Sequence, residues 1–592
     1  MILSSSTSAM MLIAVVVSPS IAEAIDVWTV GVNNTRQGWN KFETVLTTAN
    51  VPKLKKIREF NVDEKIDVSP LVVRDKLYVF TMTNTAYIFD VNTGAELARR
   101  QLAAPFDPAD IANPQDRGMD LHNMYRNWGV TATPVIDLAT NTIYATTFGK
   151  PNAGSSNLER NNMLWILDAH TLADKKPAVL IAGNADNGGE AIANGFTIPY
   201  QKMRAGLGLL TDVGGNKAVV VSFSINGEHP QGPGHGFVAA YDVRGLDRQV
   251  GFTPTAAIWN VTPGGGAGGV WMSGSGPAID GSDIYLATGN GMDPAKAKNE
   301  NRPASFAECF VKLRYTPGTA NIDNGKPKLA VVDYWGAFSD FGRADEDQDL
   351  GSAGVFLVPD RGNLVGGGKD GILFNLNKDN LGQTTWAPHF NLPFVATYLP
   401  NPPNGTAGLP TTTVPDPNWP IVNLDRNIFT HTPTGKTYHI HGTPVYMERA
   451  TSGIVYIWGE NEHLKAYNFN FATKRITSFR GEGTQIASGN EPPPGGMPGG
   501  RLVVSSNGTA PRTGVVWGTY PVQGNANSTV VDGALVAYDA TTVVNGKMKQ
   551  LFHSDANPAN SMGKFAKYST PVVANGKVYV GTFSNKVVEY GL

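Results

Sequence analysis

Two short stretches of this 592-residue sequence place reactive side chains at spacings that could do chemistry. Residues 345–349 read D-E-D-Q-D, so Asp345, Glu346, Asp347 and Asp349 share one loop. Such a cluster serves either as a source of a general base or as a solvated acidic surface. His439-Ile-His441 puts two imidazoles on one face of an extended segment, a spacing able to hold a metal. No third ligand is evident near them in the sequence, so packing between strands is the expected role. Cys309 is the single cysteine. It excludes an intrachain disulfide, a Cys-rich zinc site and a C-x-x-C-H haem attachment. The run G-G-G-A-G-G over residues 264–269 lacks the Lys-Ser/Thr ending and following helix of a phosphate loop. No G-x-S-x-G or H-E-x-x-H motif occurs, which leaves those hydrolase classes without support.

The elements that must position these groups are strands. Gly 66 and Pro 39 make the chain rich in turn formers, while charged residues reach only 17% against roughly 25% in ordinary soluble domains. Hydrophobic residues at 41% supply a core and exclude disorder. The net charge of −2 gives no basic footprint for nucleic acid. A repeat runs through the chain. S-P-L-V-V-R-D-K-L-Y-V-F, from Ser69, and S-T-P-V-V-A-N-G-K-V-Y-V, from Ser569, each read as a short strand, a tight turn and an alternating strand. A third strand then ends in Asp, as at Asp90, Asp168, Asp242 and Asp539. Eight such units start near Pro70, Pro134, Leu207, Pro277, Val355, Pro444, Leu502 and Pro571. Four-stranded units repeated around an axis describe an all-β, eight-bladed β-propeller. The last unit offers only three strands, and the N-terminal run over residues 53–60 is predicted to supply its fourth. A Pro-rich insertion over residues 386–435 is unsuited to central strands. At the start, the apolar run over residues 9–17 and A-E-A at 22–24 predict a signal peptide cleaved after Ala24. The mature chain, residues 25–592, is then secreted or periplasmic, with no transmembrane anchor expected.

The repeats resemble those of pyrroloquinoline-quinone (PQQ) propellers. The resemblance rests on Y-I-F-D-V-N-T-G (residues 87–94), A-T-G-N-G (287–291), G-G-K-D-G (367–371) and T-P-V-V-A-N-G-K-V-Y-V (570–580). Where that family often places a docking Trp, this chain has Ala98. Similarity to the quinoprotein alcohol dehydrogenases of this superfamily implies a site. Glu228 and Asn290 match calcium ligands, Trp271 the floor under the quinone, Asp349 the catalytic base and a further ligand to the ion. Lys369 matches the cation beside the reactive carbonyl, and Arg126 a further cofactor contact. In that scheme calcium polarises the quinone carbonyl while Asp349 takes the alcohol proton. Each residue also has an ordinary structural role: Asn290 as a turn residue between glycines, Trp271 as interface filling, Lys369 as a turn lysine. The adjacent-cysteine ring of the family is absent, because Cys309 is alone.

Two functions follow as expectations. One is a ligand- or partner-binding propeller whose axial face or long loops take a small molecule, a protein or a glycan. The alternative is a PQQ- and Ca²⁺-dependent dehydrogenase that oxidises an alcohol or sugar. It would carry no haem of its own and would pass electrons to a separate acceptor.

Overall fold

The computed structural model describes residues 26–107, 127–150, 161–189, 191–192, 201–225, 234–292, 305–320, 325–336, 347, 349–369, 371, 373–383, 421–423 and 438–592. The predicted signal peptide (residues 1–24), Arg126 and Glu228 therefore lie outside the described residues.

Antiparallel meanders follow one another along the chain. The first comprises Leu71–Val73, Lys76–Phe80, Thr85–Asp90 and Glu96–Gln101. The next opens with Val135–Asp137, followed by one from Gly208–Thr211 and one from Ala278–Asp280. Later ones open with Phe356–Val358, Val445–Glu448, Arg501–Ser505 and Val572–Ala574. Each opening strand thus begins within one residue of a predicted unit start. The reason is local: each opening strand is a short apolar run, and a tight turn at positive φ, such as Arg74 or Asn575, sends the chain back. The terminal Asp of the third strand makes an Asx turn in four units, at Asp90, Asp168, Asp242 and Asp539. Asp90 Oδ1 accepts from the Asn92 and Thr93 N–H groups, and Asp168 does the same for His170 and Thr171. Among the described residues, the Pro-rich stretch contributes Ile421–Asn423, an outer strand on Leu373–Asn377.

The last meander is completed by the N-terminal strand Lys55–Asn61, paired antiparallel with Lys586–Gly591. That pairing is the predicted joint between the chain ends. Opening strands also touch their neighbours, and the contact of Val572–Ala574 with Leu71–Val73 brings the last meander against the first.

Residues 26–43 do something the sequence pattern did not announce. They run past the opening strand of every meander in chain order, bonding to each. Val72 N–H donates to the Val27 carbonyl, Ile136 to Trp28, Ile279 to Asn34, Leu357 to Thr35, Tyr446 to Gln37, Val504 to Gly38 and Ser506 to Asn40. The Asn34 amide donates to the Leu209 carbonyl, and the Asn40 amide to the Val573 carbonyl. At the centre of this arc Arg36 is fully buried. Its guanidinium donates to Thr29 Oγ1 and to the carbonyls of Val30, Leu207 and Pro277 at 2.6–3.0 Å. Burial pulls its pKa down to about 9. Arg36→Ala is expected to cost at least about 3 kcal/mol, because several buried acceptors lose a charged donor. Arg36→Lys should not restore it, since one ammonium cannot span that spread of acceptors. The midpoint of chemical denaturation measures both.

Candidate functional site

In an antiparallel meander the lead-in to the first strand and the loop after the second lie at the same end. That geometry gathers side chains distant in sequence. The lead-ins carry Lys65 and Asp67, Lys202 and Arg204, Trp271, Asp349, His439 and His441, and Lys567 and Tyr568. The loops after second strands carry Asn290, Lys369 and Glu460. Three of the lead-in pairs share one register. Lys65/Asp67, Lys202/Arg204 and His439/His441 stand five and three residues before Pro70, Leu207 and Pro444. A two-residue spacing in extended backbone turns both side chains to one side.

The convergence shows in the contacts. Lys202 Nζ lies 3.8 Å from the Trp128 ring centre. The Arg204 guanidinium lies 4.7 Å from Trp271 and 4.3 Å from Tyr568, between the two rings' neighbourhoods. Lys567 Nζ and the Arg501 guanidinium lie 4.8 and 5.1 Å from the same Tyr568. Cations and aromatic faces therefore alternate across the end of the molecule, a stabilising pairing when desolvated. Asp67 sits buried among them. Burial pushes its carboxyl above the usual range, and Lys567, Arg204, Lys202 and Lys65 pull it back.

Next to Trp271 lies a second, more polar cluster. Asp349 is buried: its Oδ1 accepts from the Asn290 N–H at 2.8 Å, and its Oδ2 is 2.6 Å from Lys369 Nζ. Lys369 Nζ is also 2.6 Å from Asp347 Oδ1, which accepts from the Asn290 amide at 2.9 Å. Glu308 Oε2 takes the Leu350 N–H at 3.0 Å and so pins the backbone beside Asp349. Gly289 permits this approach. A Cβ there would collide with Asp349 Oδ1 and lie 3.1 Å from Trp271 Cδ1. Among the described carboxylates of the acidic loop, Asp349 is the enclosed one; Asp347 is 71% exposed.

The structure thus brings together Asn290, Trp271, Asp349 and Lys369, four of the six residues that the resemblance singles out. Sequence reasoning missed Lys202, Arg204, Lys567, Tyr568, Glu308 and Glu460. The shared register of the lead-in pairs would have found Lys202 and Arg204. Its second position, three residues before Pro571, would have found Tyr568 too, whereas Lys567, Glu308 and Glu460 stand outside that register.

No family model matches the sequence, and no curated protein matches it. Solved structures do. The chain is similar to the quinohemoprotein alcohol dehydrogenase from Comamonas testosteroni, with a TM-score of 0.54 and 13% identity over 96% of this chain and 81% of that one. It is similar to a quinohemoprotein alcohol dehydrogenase from Pseudomonas putida HK5, with a TM-score of 0.52, 13% identity and 96% and 80% coverage. The fold is that of a PQQ-like β-propeller. A europium-containing methanol dehydrogenase gives the same result, with a TM-score of 0.53 at 13% identity, covering 96% of this chain and 98% of that one. At such identity the likeness concerns fold, and the function of this propeller has to be argued from its own residues.

Proposed function

We propose that this chain is an exported, eight-bladed PQQ-like propeller that binds a planar, anionic ligand of the quinone class at the end where the lead-ins converge. The observation that carries the reading is the meeting of Trp271, Arg204, Lys369, Asp349 and Asn290 in one place. PQQ is a flat tricarboxylate with adjacent carbonyls. A Trp face suits its ring, while a guanidinium and an ammonium suit its oxygens. For a hard cation, Asn290, Asp347 and Asp349 offer oxygen donors, and the resemblance adds Glu228. The ammonium of Lys369 already lies against both carboxylates. An ion at this site would therefore share Asp349 with Lys369.

A second reading makes the propeller a dehydrogenase for an alcohol or sugar. It is favoured by one specific feature: Asp349 is enclosed and held in place by a backbone N–H while it stands beside Trp271. Bound PQQ would supply the two-electron acceptor for such an oxidation. Asp349 would receive the substrate hydroxyl proton, and Lys369 would hold that carboxylate in position. Electrons would leave to a separate acceptor, since Cys309 is buried and bonded to the Ala307 carbonyl rather than placed for haem attachment.

The test adds PQQ with Ca²⁺, and separately with Eu³⁺, to purified protein. Quinone retained through gel filtration, together with quenched tryptophan fluorescence, is the expected result. Dye reduction with a panel of alcohols and sugars then selects the dehydrogenase. Bound quinone without dye reduction selects the binding propeller, and neither signal removes the quinone reading altogether.

A further inference from the structure

The sequence left His439 and His441 without a third partner, and the structure supplies one. Glu460, in the loop after the second strand of the same meander, brings its carboxylate to the two rings. One ligand atom from each of His439, His441 and Glu460 lies within 4.8 Å of the others. We propose that these three residues form a site for a divalent first-row transition ion of the zinc class, with one coordination position open to water or a substrate oxygen. The inference does not depend on quinone binding.

The donor set is the first reason. Two imidazoles and one carboxylate are the ligands of an open, three-residue zinc centre. Ligand atoms around a tetrahedral zinc ion stand about 3.3 Å apart, so small side-chain rotations close the remaining distance. Calcium, which takes six to eight oxygens, is a poor match.

The second reason is how the rings are left. His441 and Glu460 are both buried. His441 Nε2 is 2.8 Å from Glu460 Oε1, yet neither His441 nitrogen makes a hydrogen bond among the described residues. Close approach without alignment is what groups aimed at a common point show, and it is costly if nothing occupies that point. Glu460 Oε2 is occupied by the Gly495 N–H, leaving Oε1 toward the rings.

The third reason is preorganisation. Glu460 N–H donates to the His439 carbonyl at 2.9 Å, Ser352 Oγ to the Ile440 carbonyl at 2.7 Å, and Arg501 Nη1 to the His441 carbonyl at 3.1 Å. Ile440 N–H donates to the Gly368 carbonyl. The backbone of the His-x-His segment is thereby fixed at successive residues, as a ligand scaffold requires. His439 is only partly buried, so the site has a path to solvent.

The test uses the full mature protein after treatment with EDTA. One equivalent of Co²⁺ is expected to give the strong visible absorption of a four- or five-coordinate ion, and Zn²⁺ to displace it. Glu460→Gln and His439→Gln should each weaken Zn²⁺ binding by more than the roughly 10–100-fold that loss of an outer-shell partner costs. His439 is the safer variant for folding because it is not fully enclosed; circular dichroism and thermal melting check both. Three results overturn the proposal: no cobalt band in the intact wild-type protein, unchanged affinity in folded Glu460→Gln and His439→Gln, or a cobalt band abolished by Asp349→Asn instead, which would place the ion in the neighbouring cluster.

Discussion

A chain that starts at residue 63 is expected to emerge insoluble and without a cooperative thermal transition. Two structures are lost together. The first is the strand Lys55–Asn61, whose Phe60 packs 5.2 Å from Phe89 and 6.4 Å from Tyr579, ring centre to ring centre. The same strand brings Arg58 Nε to 3.0 Å from Glu589, a carboxylate with no exposed surface. Without it Glu589 keeps Lys577 alone as an ion-pair partner among the described residues. The second is the arc over residues 26–43. Its removal strips the acceptors from seven buried N–H groups, those of Val72, Ile136, Ile279, Leu357, Tyr446, Val504 and Ser506. An unsatisfied buried donor costs about 1–3 kcal/mol, so the seven together cost roughly 7–21 kcal/mol. Total stabilities are typically about 5–15 kcal/mol. Water entering the emptied centre would satisfy some donors, but halving the cost still leaves a loss comparable to the whole stability. Calorimetry and gel filtration decide the matter. A soluble monomer with a single cooperative melt would show that the meanders hold together without the arc.

This arc marks where sequence reading reached its limit. The opening strands were legible to within a residue because each is announced locally, by a short apolar run and a turn, with Pro ahead of five of the eight. The joint between Lys55–Asn61 and the last meander was legible because that meander is short by one strand. Residues 26–43 carry no such period. Their sequence, D-V-W-T-V-G-V-N-N-T-R-Q-G-W-N-K-F-E, is neither helical nor alternating. Arg36 reads there as an ordinary polar residue of a loop, and only the converging strands give it buried acceptors.

The candidate site divides in the same way. Asp349, Asn290, Trp271 and Lys369 were found because each stands in a motif. Arg204 and Tyr568 were not, although Arg204 lies within 5 Å of both aromatic rings. Their role arises from the radial arrangement, which brings together residues more than 360 positions apart. The His439–His441 pair was read as packing because its third member, Glu460, comes from a different loop. Both clusters depend on one geometric fact: lead-ins and second-strand loops share an end. That end is then a common platform, with cations and aromatic rings at one part and two buried carboxylates, Asp349 and Glu460, at another. The pKa of His439 responds to Asp349 and Lys369 as well as to Glu460, so the two polar clusters are electrostatic neighbours.

Asp349→Asn is expected to leave quinone bound and the fold intact while lowering dye-linked turnover by about 10²–10⁴-fold, the usual contribution of a general base. The substitution keeps the shape of the side chain. An amide oxygen can still accept the Asn290 N–H that now bonds to Oδ1. Lys369 loses one of its two carboxylates but retains Asp347 at 2.6 Å, so its ammonium is not left buried without an anion. What disappears is the ability to take a proton. Trp271 and Arg204, which would face the ring and the oxygens of a bound quinone, are untouched. Retained quinone absorbance combined with lost turnover would therefore separate proton transfer from binding. The comparison variant is Asp347→Asn. Asp347 is exposed and touches the same lysine, so it should lower turnover by much less. Equal turnover in wild type and Asp349→Asn, with Asp347→Asn impaired, would move the base to Asp347. Quinone lost from Asp349→Asn would instead show that the carboxylate serves to hold the ligand or its cation, which is the binding role without the catalytic one.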